Sequence, residues 1–365
     1  MYSLLRSILF QLNPELAHHW VKASGFVWPS FLVSKLTHVR SSRLEVNVSG
    51  IHFSNPVGLA AGFDKNAEMI SMLYSLGFGF LELGSVTLKK CEGNPQPRIF
   101  RLPKDKSMIN RMGLPNVGVD DFVSNILKSK ARFPLLVNVA KAPSSVSKTP
   151  EKSIEEIIHV LQKIPEVGSI VILNLSCPNT SDGKTFESPG SFEKLAKEVA
   201  LFRKEKKEAR PYWIKISPDL EDDDRTKIIE KAIDHGMDGF VVGNTSTSRE
   251  NLTTSKQQLQ KIGHGGLSGA AITERSNQQL EKVFRQVGDS KTLVGVGGIM
   301  GLKDLAAKLA RGASLFEVYT GLIYGGPLFI RRLNRGLDAL CHRLGVKNYL
   351  ELRGQRGVEL VTKDI

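Results

Sequence analysis

The stretch at positions 174–180, Asn-Leu-Ser-Cys-Pro-Asn-Thr, places one thiol among amide and hydroxyl side chains. The apolar run Ser169–Leu173 leads into it and predicts a buried parallel strand. Polar residues that follow such a strand are typical of an active site at the C-terminal rim of an α/β barrel. A lone cysteine is more often a small buried apolar residue, but this position makes Cys177 the candidate nucleophile or base. Asn174 and Asn179 offer donors and acceptors suited to a flat, amide-like ligand.

Two lysines near predicted strand ends are candidates for binding negative charge. Lys215 lies in the apolar strand Tyr212–Ile216, and a buried lysine is costly unless it meets an anion or an electron-rich ring. We therefore expect it to stabilise negative charge on a reduced cofactor. The alternative is an exposed lysine paired with Asp219. Lys65 is a second cation near the site, unless it is exposed beside Asp64.

Asparagines and glycines at other strand ends extend the predicted site. Each asparagine alone is more often a loop residue, but as a set they resemble a cage for a planar imide: Asn110, Asn174, Asn179 and Asn244. Glycine-rich segments follow predicted strands 6, 7 and 8, at Gly265–Gly269, Gly295–Gly298 and Tyr319–Gly321. Loops of this kind after strands 7 and 8 form the usual phosphate site of a barrel, so we expect a phosphorylated cofactor.

The elements that would position these residues alternate between strands and amphipathic helices. Eight apolar runs predict strands at 57–61, 79–84, 135–139, 169–174, 212–216, 239–243, 292–296 and 315–319. Helical patterns are centred on 66–76, 118–130, 151–163, 191–208, 221–235, 273–287, 302–311 and 326–343. Eight β/α units predict an α/β TIM (β/α)8 barrel with an N-terminal helical extension, and a doubly wound sheet is the competing architecture. Residues 44–53 predict a hairpin that closes the N-terminal end of the barrel.

The chain divides into residues 1–43, 44–344 and 345–365 by its pattern. The first part contains short helical patterns and the apolar cluster 26–33, with arginines and lysines nearby. This composition suits a peripheral membrane patch, and the alternative is a helix pair packed on its own domain. No stretch approaches the ~20 apolar residues of a transmembrane helix, and the first ten residues do not read as a signal peptide. The last part is a charged tail with no clear partner.

The composition leaves several classes of binding partner open. Basic residues exceed acidic ones, with a formal net charge of +13, which could favour nucleic acid, an anionic membrane or an acidic small molecule. The three cysteines (Cys91, Cys177 and Cys341) are far apart and match neither a disulfide framework nor a metal site. We expect no metal and a reducing compartment.

These residues carry a family resemblance. Over roughly residues 1–340 the chain resembles dihydroorotate dehydrogenase, most specifically in the segments Asn55–Lys65, Gly93–Arg98, Asn174–Thr180, Gly265–Gly269 and Gly295–Ile299. The resemblance implies an FMN-dependent barrel that oxidises dihydroorotate to orotate in pyrimidine synthesis. Cys177 would be the base that removes the C5 proton, while hydride passes from C6 to FMN. The N-terminal helices resemble the quinone-reducing class 2 branch, in which they form a quinone tunnel, and Arg101 matches an arginine that lines it.

Three features depart from class 2. Class 2 members usually have serine at the position of Cys177, whereas the soluble class 1 members have cysteine. The segment Met112–Asn116 also looks like class 1, and Ala140 and Ala142 flank Lys141 where class 2 usually has glycine and asparagine. The chain thus looks like a class 2 frame with a class 1-like base and substrate loop. A quinone is the expected acceptor, with fumarate and oxygen open.

The resemblance also implies roles for individual residues. FMN would be held by Ala61, Gly62, Ser85, Asn138, Asn174, Lys215, Thr245, Ser268, Gly269, Gly297, Gly298, Tyr319 and Thr320. Dihydroorotate or orotate would be held by Lys65, Asn110, Met112, Gly113, Leu114, Asn174, Asn179, Asn244 and Thr245. The class 2 frame implies peripheral attachment to the cytoplasmic face of the inner membrane, and no nucleic-acid partner is expected.

Two other interpretations stay open from the sequence. One is a tRNA dihydrouridine synthase or other flavin-dependent dihydropyrimidine oxidoreductase, since tRNA dihydrouridine synthases are also flavin barrels with a catalytic cysteine and a basic surface. Against it, no added RNA-binding module is evident. The other is a membrane-surface protein whose site has decayed, and the presence of all the candidate phosphate loops argues against it.

Overall fold

The computed structural model describes residues 2–25, 28–143, 149–164, 168–176 and 185–364. Its helices are α1 (Tyr2–Leu9), α2 (Pro14–Ser24), α3 (Ser30–Thr37), α4 (Ile70–Tyr74), α5 (Val119–Ser129), α6 (Pro150–Lys163), α7 (Pro189–Lys206), α8 (Asp222–Asp234), α9 (Lys256–Ile262), α10 (Thr273–Val287), α11 (Leu302–Leu309), α12 (Thr320–Gly325) and α13 (Phe329–Leu344). Its strands are β1 (Val46–Val48), β2 (Ile51–Phe53), β3 (Val57–Leu59), β4 (Phe80–Val86), β5 (Ile99–Leu102), β6 (Ser107–Asn110), β7 (Leu135–Ala140), β8 (Ile170–Asn174), β9 (Tyr212–Ile216), β10 (Gly239–Val242), β11 (Gly266–Gly269), β12 (Thr292–Val296) and β13 (Leu315–Val318).

Eight parallel strands close into a barrel in the order β3-β4-β7-β8-β9-β10-β12-β13, with β13 pairing back to β3. All eight coincide with the predicted strands to within two or three residues at each end, so the predicted TIM barrel is confirmed and the doubly wound sheet is wrong. The strands are almost wholly buried because helices cover their outer face and side chains fill the interior. Burial on both faces explains why the sequence shows continuous apolar runs instead of alternation.

The eight predicted helices are also present, and the first is shorter than expected. Its pattern covers 66–76, but α4 begins only at Ile70. The side chain of Asp64 accepts hydrogen bonds from the backbone N–H groups of Glu68 and Met69 at 2.9 and 2.8 Å. Ala67 adopts a φ of 59°, which a right-handed helix excludes. The segment after β3 is therefore a capped turn.

The predicted hairpin is β1 and β2, and it lies against the N-terminal ends of the barrel strands. The Ser49 hydroxyl in its turn accepts a hydrogen bond from Trp213 Nε1 at 3.3 Å. It also lies 3.0 Å from the Thr292 hydroxyl, at the first residue of β12. The hairpin therefore lies at the end of the barrel opposite the predicted site.

A three-stranded antiparallel sheet, in the order β11-β6-β5, stands beside the barrel. The prediction of a glycine-rich loop at Gly265–Gly269 is wrong, since Gly266–Gly269 form strand β11 against β6. A Cβ atom on Gly265 would lie 2.6 Å from the Asn110 carbonyl oxygen, and one on Gly269 would lie 2.5 Å from that of Lys106. These glycines are needed for the close approach of two backbones.

Polar contacts join the N-terminal helices to the segment around β5, beside the barrel. Glu15 on α2 accepts hydrogen bonds from the backbone N–H of Arg98 at 2.7 Å and from its Nε at 3.1 Å. The guanidinium of Arg101 on β5 donates to three carbonyl groups after α1, those of Leu9, Phe10 and Leu12. A cation at these carbonyls satisfies the C-terminal end of the helix.

The outward surface of α2 and α3 is apolar. Leu16 and Trp20, one turn apart on α2, are 44% and 57% exposed. On α3, Phe31, Leu32 and Leu36 are 61–70% exposed. We call these five side chains the exposed apolar face. The helices therefore pack on their own domain and leave these apolar side chains exposed. Among the described residues, no helix has the length and hydropathy of a bilayer-spanning segment.

The last residues pack on the barrel instead of extending from it. Tyr349 is fully buried and its hydroxyl donates to the Ser314 carbonyl at 2.6 Å. Arg353 Nε donates to the Gly312 carbonyl at 2.7 Å. The expectation of a tail without a partner is therefore wrong, because its few apolar residues cover the ends of α11 and β13.

We predict that Glu15→Ala loosens α2 from the barrel without unfolding it. The change leaves the half-buried Arg98 guanidinium without its carboxylate, at a cost of about 1.5–3 kcal/mol. Cleavage by trypsin at Lys22 should become about tenfold to a hundredfold faster. Glu205→Ala, at an exposed position on α7, is the control. Equal cleavage rates in the two variants would show that this ion pair does not hold the helix.

Candidate functional site

A cavity opens at the C-terminal ends of the barrel strands. Its walls come from the barrel strands, from β5 and β6, and from the loops that follow β12 and β13. It brings together most of the residues that the sequence singled out, namely Ala61, Gly62, Lys65, Ser85, Asn110, Met112, Leu114, Asn174, Lys215, Asn244, Thr245, Ser268, Gly269, Gly297, Gly298, Tyr319 and Thr320. These residues span 260 positions of the chain, so the barrel topology is what makes them neighbours.

Two predicted residues do not line this cavity, and two lie outside the described part of the chain. Asn138 is fully buried beside it, and its amide donates to Glu82 Oε1 at 2.6 Å. Gly113 adopts a φ of 71° in the turn between Met112 and Leu114. Cys177 and Asn179 fall among residues 177–184, which the structure does not describe.

The floor of the cavity holds a buried ammonium between two carboxylates. Lys215 Nζ lies 2.5 Å from Glu82 Oε2 and 3.3 Å from Glu317 Oε2. Lys215 is 3% exposed and both glutamates are fully buried. The alternative of an exposed lysine paired with Asp219 is therefore wrong. The Asp219 carboxylate instead accepts hydrogen bonds from Ser246 and Thr247 and forms an ion pair with Arg275.

Electrostatics within this group keep Lys215 charged. Burial by itself lowers the pKa of Lys215, but the two neighbouring carboxylates outweigh it and hold the pKa above its ordinary value. Burial also raises the pKa of Glu82, and the Lys215 ammonium more than reverses this, so that its pKa is lowered. The pKa of Glu317 is raised well above its ordinary value by burial and by the negative charge of Glu82.

Neither Glu82 nor Glu317 was predicted from the sequence. The available signal was a single acid inside each of two otherwise apolar runs, Phe80–Val86 and Leu315–Val318. An acid in a strand that is buried on both faces must find a partner in the interior. That the partner is Lys215 depends on the position of β9 in the barrel, opposite β4 and β13.

Lys65 supplies a second cation with a different character. Its ammonium donates to the Gly62 carbonyl at 2.6 Å, and the structure places it against the cavity wall. Burial, with a further contribution from the positive charge of Arg98, lowers the pKa of Lys65 to about 8. Below that pH it offers a positive charge that an anionic ligand would stabilise.

Two asparagines of the predicted cage already donate hydrogen bonds to other residues of the protein. Asn244 Nδ2 donates to the Ser176 carbonyl at 2.8 Å and to its hydroxyl at 3.0 Å. Asn174 Nδ2 donates to Ser85 Oγ at 3.2 Å and to Asn138 Oδ1 at 3.3 Å. These bonds fix the backbone up to Ser176, the residue that directly precedes Cys177.

Small residues and two hydroxyls form a cradle at the far end of the cavity. Ser268 Oγ and Thr320 Oγ1 lie 2.9 Å apart. Gly297 and Gly298 have φ values of 97° and 78°, and a Cβ on Gly298 would lie 2.2 Å from the Thr273 hydroxyl. Neutral donors around a space that a side chain would fill are the chemistry of a phosphate site.

The apolar walls of the cavity were not predicted. Ile99 and Met108 come from β5 and β6, and Ile299 and Met300 from the loop after β12. No periodicity distinguishes these side chains from ordinary core residues. The pairing of β5 with β6 and of β6 with β11 is what turns them toward the site.

A row of aromatic rings connects the cavity with α2. Tyr319 lines the cavity and packs on Phe63 with ring centroids 5.3 Å apart. Phe63 meets the His18 ring at 5.6 Å, and His18 Nε2 lies 3.1 Å from the Phe63 carbonyl oxygen. The N-terminal helices are therefore in contact with the wall of the site.

Comparisons with known proteins agree with this arrangement. A family model described as dihydroorotate dehydrogenase matches residues 43–341. A Nocardia farcinica (strain IFM 10152) protein named dihydroorotate dehydrogenase (quinone) is 35% identical over 359 residues, covering 97% of this chain and 96% of that protein. One with the same name from Azotobacter vinelandii (strain DJ / ATCC BAA-1303) is 37% identical over 347 residues, with 93% and 97% covered. The crystal structure of ligand-free type DHODH from Eimeria tenella has a TM-score of 0.82 and 30% identity, with 94% of this chain and 99% of that chain covered.

We predict that Gly298→Ala weakens the binding of a phosphorylated cofactor. The positive φ and the approach to Thr273 leave no room for a methyl group, and backbone strain of about 1–3 kcal/mol would displace the loop. The cofactor-to-protein ratio after gel filtration, measured by absorbance, should correspond to ~10-fold weaker binding or more. Gly301→Ala is the matched control, because that residue is extended and no atom lies within 4 Å of its Cβ position. Equal cofactor content in both variants would contradict a phosphate site at Gly298.

Proposed function

The chain belongs to the dihydroorotate dehydrogenase family, and on that premise we propose that it oxidises dihydroorotate to orotate, with FMN as cofactor and a quinone as electron acceptor. The observation that carries the proposal is the single cavity in which a glycine cradle, the buried Lys215 and the asparagine amides meet. The family assignment sets aside the tRNA dihydrouridine synthase interpretation.

The cavity residues fit a flavin nucleotide. The cradle of Gly297, Gly298, Ser268 and Thr320 would hold the phosphate, and the charge of Lys215 would face the electron-rich part of the ring system. When bound, the flavin supplies the hydride acceptor of the reaction. The chain itself supplies a fixed positive charge that needs no rearrangement during the reaction, because the carboxyl groups of Glu82 and Glu317 already hold Lys215 in place.

The substrate side of the cavity suits a small anionic imide. Dihydroorotate carries one carboxylate and a ring whose edges alternate between N–H donors and carbonyl acceptors. Lys65, with a pKa of about 8, is largely protonated at neutral pH and would pair with that carboxylate. Asn110, Asn174 and Asn244 would match the ring edges, since each amide both donates and accepts.

We assign the base role to Cys177. The base must approach the carbon that loses a proton to within hydrogen-bond distance. The hydrogen bonds from Asn244 to Ser176 hold the chain immediately before Cys177 at the edge of the cavity. A thiol, with an ordinary pKa of ~8.5, forms the conjugate base near neutral pH far more readily than a serine hydroxyl does.

The N-terminal helices suit electron transfer to a membrane quinone. Relatives of this chain are named dihydroorotate dehydrogenase (quinone). Phe63 lies between His18 on α2 and Tyr319 at the cavity, and Arg101 lies beside the turn after α1. We propose that residues 1–43 form the quinone entrance. The exposed apolar face would bind peripherally to the cytoplasmic side of the inner membrane.

We predict that Cys177→Ala abolishes the reduction of bound flavin by dihydroorotate, because no base remains to take the proton. FMN content should stay unchanged, and anaerobic stopped-flow absorbance measures both quantities. Cys177→Ser should lose most of the rate at pH 7 and recover part of it at high pH, where a hydroxyl becomes a better base. A wild-type rate in Cys177→Ala, or a pH-independent profile in Cys177→Ser, would contradict the base role.

We predict that replacing Phe31, Leu32 and Leu36 with glutamine weakens binding to anionic phospholipid vesicles by about a hundredfold or more. Each side chain would contribute about 1–2 kcal/mol on insertion. Reduction of the flavin by dihydroorotate should not change, while reoxidation by a vesicle-embedded quinone should slow. The matched control replaces Leu127, Leu201 and Leu360, which are 45–63% exposed elsewhere on the surface. Equal vesicle binding, or faster reoxidation by fumarate than by quinone, would count against this part of the proposal.

A further inference from the structure

The buried group formed by Lys215, Glu82 and Glu317 contains one acid more than its cation can balance. One ammonium serves two carboxylates, and all three side chains are removed from water. Two ionised carboxylates and one ammonium would leave a net negative charge in the barrel interior, at the floor of the cavity. Like charges that share a buried site do not both ionise, so one of the acids must hold a proton.

Hydrogen bonding distinguishes the two acids. Glu82 accepts from three donors, the Asn138 amide at 2.6 Å, the Ala61 N–H at 3.0 Å and the Lys215 ammonium at 2.5 Å. Each of these bonds favours the ionised form. Glu317 receives only the longer contact from Lys215, at 3.3 Å, and its Oε1 has no hydrogen-bond partner among the residues that the structure describes.

Both carboxyl groups lie against the same ammonium, with Lys215 Nζ 2.5 Å from Glu82 Oε2 and 3.3 Å from Glu317 Oε2. Because three donors stabilise the ionised form of Glu82, the proton belongs on Glu317. The other polar groups that face the cluster, the Asn138 amide on β7 and the Ala61 N–H after β3, do not titrate. Burial and the charge of Glu82 act in the same direction, since both raise the pKa of Glu317.

We propose that Glu317 is a neutral carboxylic acid beside the ionised Glu82, and that it is a positioning residue which sets the net charge at the cavity floor. With the proton on Glu317, the charges of Lys215 and Glu82 cancel. Loss of that proton would add a negative charge and would disfavour a further negative charge in the cavity. The consequence for the cofactor rests on the proposed function, whereas the protonation of Glu317 does not.

Urea unfolding of the purified full-length protein against pH tests the protonation state directly. In the unfolded chain Glu317 ionises near its ordinary pKa of ~4.3, while in the folded protein it stays neutral to a higher pH. The folded state therefore binds more protons, and the stability of the wild type falls with rising pH between those two values. Relative to Glu317→Gln, its unfolding constant should rise about tenfold per pH unit in that window.

The opposite result would overturn the proposal. An ionised Glu317 paired with Lys215 would stabilise the wild type relative to Glu317→Gln as pH rises, and a flat difference would mean that the protonation of Glu317 does not change on folding. Glu205→Gln, at an exposed position, is the control for a flat response.

Should Glu317→Gln fail to fold, the infrared spectrum of the wild type tests the protonation of Glu317 instead. A protonated-carboxyl band above pH 7 is expected, and its absence overturns the assignment.

A redox titration tests the consequence for the site. With a dye as the reference couple and no dihydroorotate, the midpoint potential of the bound flavin is measured against pH in wild type and Glu317→Gln. The two should coincide at acid and neutral pH. In alkali the wild type should fall below the variant by a tenfold change in the reduced-to-oxidised ratio, which is about 30 mV for two electrons. A constant offset, or coincidence at every pH, would overturn the positioning role. A protein that binds no flavin would instead contradict the proposed function, and the urea experiment would still report on Glu317.

Discussion

The site depends on one constraint, which is that a charged lysine inside a closed barrel must be held by acids that come from other strands. Lys215 on β9 meets Glu82 on β4 and Glu317 on β13, so three strands far apart in the chain are tied at the cavity floor. Removing either partner of such a buried pair leaves an uncompensated charge, which is far more costly than the net stability that the pair contributes. The group therefore fixes the position of the positive charge more than it stabilises the fold.

Two chemically different sets of side chains line the cavity around this group. Hydroxyls and glycine backbone lie at the cradle formed by Ser268, Thr320, Gly297 and Gly298, while amides and the Lys65 ammonium lie on the substrate side. The first set favours a phosphate without a full positive charge. The second set favours an anionic ring compound and responds to pH near 8.

The N-terminal helices pack on the rest of the chain and also expose apolar side chains. Their inward contacts include hydrogen bonds, such as that of Glu15 with Arg98, and apolar packing, such as that of Val33 on the core. Other apolar side chains remain on the outer surface at Phe31, Leu32 and Leu36. The cysteine at position 177 and this extension belong to different branches by resemblance.

Much of this protein could be predicted from its sequence alone. Strands buried on both faces are continuous apolar runs, so the eight barrel strands and the polar residues that follow them were evident from local pattern. The partners of Lys215, the strand at Gly266–Gly269 and the apolar walls at Ile99 and Met108 were not. The partners of Lys215 and the pairing of β11 with β6 join residues 100 or more positions apart, and no local periodicity encodes which distant strand will be the neighbour. The stretch at 174–180 is the corresponding case for function. Its residue types indicated the chemistry, and the tertiary structure decided that Asn174 and Ser176 face the same cavity as Lys215, because β8 and β9 are adjacent in the closed barrel.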